Sequence, residues 1–491
     1  MCANVVIVVS SAGKKRCQRG LGWGLVRTAA VFLASLWLFA GCQAKSLLVR
    51  PALEDEGELV LYLQPLSQEA DNLTFSLEQV AAVREDGAEF PMALSFSEVN
   101  GLEMKRQRLL AFSQLPPGTY SGLSVRPRNA LLKGEEGETA LGVPEGPVRI
   151  DSPFEIRKKK SLLLELVFNY TSSIRTGYTF SPAFALFAPD RPVTGVVGYV
   201  ANYGSNNITV FDKKEREAVG VIATGQGPRG IALDAKSRRA YVALAGEDSI
   251  DVIDLFASDS IQRIRLNTGD SPQEPVLTPD GRLLLTANSG SDTVSFIDPA
   301  AMIELERVSV ERCPHSVAVD RTGKRAYVFN TYSSTISVID IANKSVVTTL
   351  ATEPGPLRGA FNRSGTRLYV IHEGSSYLTV IDPASLAVLE RFFVGMGMSA
   401  LLVDTRTDFL YAAKKHEAMI GNYDPLSFFP VDSIQAETGV TYMTIDDEEN
   451  NLYLVLPEKR ALMVVNLISK KIITKIDVGE GPCWVSLMGE R

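Results

Sequence analysis

Arg325-Ala326-Tyr327-Val328-Phe329-Asn330, then Thr331-Tyr332-Ser333-Ser334, then Thr335-Ile336-Ser337-Val338-Ile339-Asp340 is the clearest copy of a phrase that recurs along the chain. Tyr199, Tyr241, Leu285, Tyr327, Tyr369, Tyr411 and Tyr453 hold the same place in seven copies, at steps of 42, 44, 42, 42, 42 and 42 residues. Thirteen residues after each stands Asp212, Asp254, Asp298, Asp340, Asp382, Asp424 and finally Asn466. A fixed period in this range marks a repeat architecture, and about 40–45 residues is one four-stranded propeller blade. Within a copy, Ile336 and Val338 alternate with Ser337, the period of a pleated strand. Runs such as Gly204-Ser205-Asn206-Asn207 supply turn residues between strands. The closing Asp is expected to cap the following turn by accepting backbone N–H groups.

These residues resemble the YVTN family of β-propeller repeats. Tyr199-Val200-Ala201-Asn202, Tyr327-Val328-Phe329-Asn330 and Tyr369-Val370-Ile371-His372 are near copies of its strand. Pro228-Arg229-Gly230-Ile231-Ala232 and Pro314-His315-Ser316-Val317-Ala318 match its second half, and Pro279-Asp280-Gly281 its turn. The resemblance spans residues 197–488 and implies a scaffold more than a chemistry.

The two ends of the repeat are complementary. Later copies each begin a first strand near Pro228, Pro272, Pro314, Pro356, Met398 and Val440, whereas the chain enters at Gly198 already in a second strand. It leaves with Pro482-Cys483-Trp484-Val485-Ser486-Leu487, a first strand that no further copy follows. Pairing this surplus with the deficit closes a ring and hides its open sheet edges. The expected fold is therefore all-β: an N-terminal β-sandwich followed by a seven-bladed propeller closed by the C-terminal strand. The expected boundaries are a signal peptide over 1–41, the sandwich with its linker over 42–190 and the propeller over 191–491.

Upstream, Lys14, Lys15, Arg16, Arg19 and Arg27 precede the apolar run 29–40, which is too short for a spanning helix and has the flanks of a targeting segment. It ends Leu38-Phe39-Ala40-Gly41-Cys42, which looks like a bacterial lipobox with Phe39 where Leu is usual. That resemblance implies acylation of Cys42 and a lipid-anchored protein of the cell envelope, at the outer membrane facing the periplasm or at the cell surface. An ordinary signal peptide with an incidental Cys is the alternative. Past this segment only Cys42, Cys313 and Cys483 remain, too few for a disulfide framework. The formal net charge of −7 argues against a nucleic-acid partner, which needs a basic face.

Between the two segments, Leu59-Val60-Leu61-Tyr62-Leu63 and several short runs up to Phe168 read as strands between Gly, Pro, Asn and Asp signals. Leu115-Pro116-Pro117-Gly118-Thr119-Tyr120 and Gly122-Leu123-Ser124-Val125 resemble the edge of transthyretin-like and carbohydrate-binding-like sandwiches. Residues 171–195 read as linker, and the sandwich is expected to space the propeller from the membrane.

Side-chain parity locates a candidate site. Counting from each first-strand Pro, places +3 and +5 are mostly apolar and are expected to pack between blades, leaving +2 and +4 for the central channel. Place +4 is small or apolar, but place +2 carries Glu274, Arg358, Tyr442 and Trp484. Together with His315 these form the candidate ligand site at the channel mouth, with His372 and Lys414 expected on the same face. Cys313, His315 and Cys483 also share the mouth and could hold a soft metal, although buried thiols are ordinarily inert packing. The three histidines lack the spacing of a zinc or haem motif, no nucleophile elbow or phosphate loop is present, and neither catalytic residue, metal nor cofactor is expected. Two functions follow: a monomeric binding scaffold for a protein or a small polar ligand, or a hydrolase of the lactonase type acting over the channel.

Overall fold

The computed structural model describes residues 50–488, apart from 136, 176, 177, 190–195 and 447; the targeting segment and Cys42 lie outside the described residues. From Val49 onward the chain forms one compact unit.

Among the described residues, seven four-stranded antiparallel sheets follow the repeat. Six run in simple chain order, from Pro228–Asp234 to Ile472–Asp477. The remaining one is composite. Its strands Val197–Asn202, Asn207–Asp212 and Ala218–Ala223 open the repeat, and Pro482–Leu487 from the far end completes it. The register pairs Gly198 with Leu487, Tyr199 with Ser486, Val200 with Val485 and Ala201 with Trp484. Each innermost strand touches the next, and Pro482–Leu487 touches both Tyr442–Asp446 and Pro228–Asp234, so the circuit is closed. The sheets form a β-propeller.

Turn chemistry repeats with the period. Asp212 Oδ1 accepts from the amides of Lys214 and Glu215, Asp254 from Phe256 and Ala257, Asp298 from Ala300 and Ala301, and Asp424 from Leu426 and Ser427. Asn466 does the same for Ile468 and Ser469. Four residues beyond each of the seven acceptors the backbone turns left-handed, at Arg216, Ser258, Met302, Lys344, Leu386, Phe428 and Lys470. None of these is glycine, and a side chain there is strained. The capped turn holds each strained residue in place.

Two further sheets share a core and make a sandwich. One runs Ala183–Phe187, Ser161–Asn169, Gly57–Leu63, Arg108–Leu115, Ala93–Leu94; the other is built on the long pair Leu73–Arg84 and Gly118–Gly134. Segment 171–195, expected as linker, departs from that reading. Phe180 is fully buried against Phe75 and Phe168, and Ala183–Phe187 pairs with Ser161–Asn169, so the sandwich extends through Phe187. The alternation Phe180, Phe184, Leu186 carries these side chains toward the core despite the flanking prolines.

Strand Gly57–Leu63 is buried along its whole length. Leu59, Leu61 and Leu63 enter the sandwich core, while Val60 and Tyr62 enter a second cluster with Val200, Phe211, Tyr453, Val478, Val485 and Leu487. A run of five apolar residues is thus explained by burial on both faces. The sandwich is packed over the seam where the ring closes. Arg106 and Arg108 donate to the Asp477 carboxylate at 2.6 and 2.7 Å, and the Tyr62 hydroxyl donates to the Asp477 carbonyl. The Arg50 amide donates to Gly204 O on the propeller, ahead of the first sandwich strand at Gly57. A spacer in series with the propeller is therefore not what the chain builds: it meets the propeller first.

Removing residues 482–491 deletes the fourth strand of the composite sheet and uncovers the surfaces under Val485 and Leu487. Burial of such side chains contributes about 1.5–3 kcal/mol each. The truncated protein is expected to melt well below wild type and to self-associate, read by calorimetry and light scattering; an unchanged monomeric melting curve would refute ring closure as a stabilising contact.

Candidate functional site

The innermost strands do not present their faces to the channel. In a propeller both faces of every sheet pack against neighbouring sheets, and the +4 residues follow that rule. Ala232 lies in a cluster with Leu284 and Ile297 of the next sheet, Ala318 with Leu368 and Val370, and Ala360 beside Met398 and Leu401. Places +3 turn to the preceding sheet, as Ile231 does toward Val197 and Tyr199. The expectation that +4 lines the channel is corrected accordingly.

A bulge at the head of the strand is what opens the site. The ladder slips after Pro228, Pro272, Pro314, Pro356 and Met398, leaving the +1 residue, and in some copies +2, outside regular pairing. An unpaired bulge residue is re-aimed relative to the pleat. Places +1 and +2 can therefore both reach the mouth.

There the five predicted residues come together from separate sheets. Arg358 Nη2 donates to Glu274 Oε1. The same guanidinium lies over the rings of Tyr442 and Trp484, at 4.7 and 5.3 Å from their centroids. Tyr442 and Trp484 stack at 3.9 Å with 23° between planes. Trp484 is held by its indole Nε1, which donates to Ile231 O at 3.1 Å and to Ser486 Oγ at 2.9 Å. His315 Nδ1 stands 3.9 Å from Glu274 Oε1, and its side chain keeps 36% of its exposure against 11% for Glu274.

Burial pushes the Glu274 carboxyl above its ordinary range, and the charges of Arg358 and Arg229 oppose this without reversing it. Burial works against a charged Arg358, but Glu274 and Tyr442 more than compensate, and the guanidinium stays charged. Burial, then the nearby Arg358 and Arg229, lower His315 to about 3, so it is neutral near pH 7. Cys483 is pushed up to about 11 by burial; its thiol donates to Pro228 O at 3.3 Å, the bonding of a packed thiol and not of a metal-bound thiolate.

Arg229 is not among the residues expected at the mouth. It occupies +1, the place of His315 and Cys483, so the signal was present in the repeat. His372 is corrected in the other sense. Its side chain is fully buried, with Nε2 2.9 Å from Thr352 Oγ1 and Nδ1 3.2 Å from Tyr377 O. It stands where Asn202, Asn288 and Asn330 donate to Thr209, Ser295 and Ser337. Lys414 is spent on Glu417 at 3.0 Å.

His372 makes the fold acid-sensitive. Burial lowers it to about 4, so the unfolded chain takes up a proton near pH 6.5 that the folded chain refuses. Stability from this group is present above pH 6.5 and is lost as pH falls toward 4. Asp251, raised by burial to about 6, acts in the opposite sense below that pH. Replacing His372 by Asn removes the proton uptake and offers a donor to Thr379 Oγ1, which is buried without a partner. Between pH 8 and pH 5 the H372N variant should gain about 1–2 kcal/mol relative to wild type by urea denaturation. Parallel pH profiles for the two proteins would refute the assignment.

Residues 180–407 match the family model described as YNCE-like beta-propeller. No curated protein matches the chain. Among solved structures, the Kuenenia stuttgartiensis hydrazine synthase aligns with 19% identity and a TM-score of 0.49, over 58% of this chain and 93% of that one. The dihydro-heme d1 dehydrogenase NirN in complex with DHE aligns with 12% identity and a TM-score of 0.49, over 61% and 77%. A functionally unknown protein from Desulfotomaculum acetoxidans aligns with 14% identity and a TM-score of 0.52, over 59% and 98%. These likenesses are of fold: the repeat region of this chain is a propeller similar to the YNCE-like ones.

Proposed function

We propose that this chain is a lipoprotein of the cell envelope, anchored at the outer membrane through Cys42, whose propeller is a binding scaffold for a protein or small polar ligand. The observation that carries the reading is convergence. Glu274, His315, Arg358, Tyr442 and Trp484 arise on five different sheets and meet at one mouth. A neutralised ion pair and an aromatic plug would be a purely structural use of four of them. His315 does not fit that use, because it remains partly exposed with Nδ1 lacking a hydrogen-bond partner. A few convergent polar groups in a concave setting are what ligand sites present.

Hydrolysis over the channel draws less support. A general base works best with a pKa near the working pH, and His315 at about 3 is a weak one. Glu274 is engaged by Arg358.

The test has two parts. Replacing Cys42 by Ala should abolish labelling with radioactive palmitate, and persistent labelling would refute the anchor. Partners captured by cross-linking on intact cells should be lost by at least about tenfold in affinity, roughly 1.4 kcal/mol, with either Arg358→Ala or Trp484→Ala. Normal binding by both folded variants would move the binding surface away from the mouth.

A further inference from the structure

The mouth carries more positive charge than it balances. Arg358 is matched by Glu274, but among the described residues Arg229 forms no ion pair. Its guanidinium lies over the Tyr203 ring at 4.2 Å, and among the described residues no carboxylate pairs with it. A Cβ on Gly230, the residue after Arg229, would lie 2.9 Å from Glu274 Cα, and Arg229 O stands 3.8 Å from Cys483 Sγ, so Arg229 leaves its strand beside the Glu274 and Trp484 strands. Two cations against one carboxylate, with a neutral imidazole, leave a surplus of one positive charge. A half-buried cation of this kind is unfavourable unless something pairs with it.

Three side chains of the mouth each carry an unsatisfied nitrogen. Arg229 Nε, Arg358 Nε and His315 Nδ1 are all buried and lack hydrogen-bond partners. Buried polar groups are ordinarily satisfied, and an unsatisfied cluster calls for an explanation. A flat aromatic ligand is a poor candidate. Trp484 and Tyr442 already stack on each other and lie under Arg358. What fits is compact, singly charged and rich in acceptors.

We infer that the channel mouth binds a small oxyanion, a carboxylate or phosphate group, between the guanidiniums of Arg229 and Arg358 and beside His315. The inference rests on the mouth being a ligand site and adds the charge, size and chemistry of what enters it. Planar guanidinium forks suit carboxylate and phosphate oxygens. Glu274 then acts as the internal competitor that occupies Arg358 when no ligand is present.

The chain provides its own reporter. Trp23, Trp37 and Trp484 are its three tryptophans, so protein beginning at residue 43 keeps every described residue and Trp484 alone. Acetate and inorganic phosphate are titrated separately at constant ionic strength, following Trp484 fluorescence and heat. Saturable one-to-one binding of one or both is expected, and the stronger arm identifies the group. Arg229→Gln should weaken that binding at least about tenfold without lowering the melting temperature, because it removes an unmatched cation. Glu274→Gln should strengthen it, because it frees Arg358. The inference is overturned if neither anion saturates below about 50 mM. It is equally overturned if Arg229→Gln binds as wild type, or if that variant melts lower. Should the anions fail while Arg358→Ala and Trp484→Ala still lose the captured partner, the oxyanion is wrong and the binding scaffold stands.

Discussion

Pairing of Pro482–Leu487 with Val197–Asn202 is the contact on which the rest of the molecule depends. A propeller sheet has no solvent-facing side of its own; its apolar faces are covered only by its neighbours, so an open array would leave two faces and two edges bare. Here the closing strand is placed between sheets on both sides, with Val485 and Leu487 in the cluster that also holds Tyr453 and Phe211. Inside the composite sheet no loop joins Pro482–Leu487 to Val197–Asn202, so there the ring is held by pairing and packing alone, and that is also where other parts of the protein are added. The sandwich lays Val60, Tyr62, Leu109 and Leu163 into the same cluster. On the seam, Lys213 and Asp446 form a buried ion pair at 3.0 Å between the sheets that the closure joins. Such a pair is weak evidence for added stability but strongly resists separation of its members.

Closure also decides what kind of site the propeller can carry. Because +3, +4 and +5 are committed to packing, chemistry is confined to the first places of the innermost strands: Glu274, His315 and Arg229 lie in the ladder slips, while Arg358, Tyr442 and Trp484 sit at the first paired places. A bulge re-aims the head of the strand in six of the seven sheets, and only the strand that starts at Tyr442 pairs without one. Gly359 illustrates the constraint: a side chain there would meet the Phe329 ring at 2.3 Å, so the place that is apolar in other copies must be empty in this one. At +2, the neighbouring Arg358 meets no such limit and crosses to Glu274. The packing positions are tightly specified, whereas the first two places of the innermost strands vary from copy to copy, from Arg229 and Glu274 to Tyr442 and Trp484.

This division explains what could be read from the sequence. Period, strand alternation, capping aspartates and ring closure are each written many times, and repetition makes them legible. The five mouth residues were legible because they break a repeat. The route by which they reach the mouth was not, since parity alone cannot show a bulge; the same gap hid Arg229 and misdirected the +4 residues. His372 was misplaced for a related reason. It occupies an Asn position that bonds the adjoining strand, and the histidine is buried there in bonds to Thr352 and Tyr377. In the stretch 171–195 the Pro and Thr content masks the alternation of Phe180, Phe184 and Leu186, which pack in the sandwich core.

The unmatched Arg229 contrasts with the charges at the sandwich seam, which are densely paired. At the sandwich seam, Asp477 takes two arginines and a backbone amide, and Glu480 takes Arg50 and Arg460. Those sites stabilise the fold, and each acid there is surrounded by donors. Arg229 stands in a bulge, outside the ladder, where its removal would leave the packing of Ile231 and Ala232 untouched. Strain or unpaired charge held at such a position can persist only where the surrounding structure over-determines it, and closure of the ring provides that surplus of constraint. The energetic penalty of the unpaired charge therefore falls on a position that ladder pairing does not use.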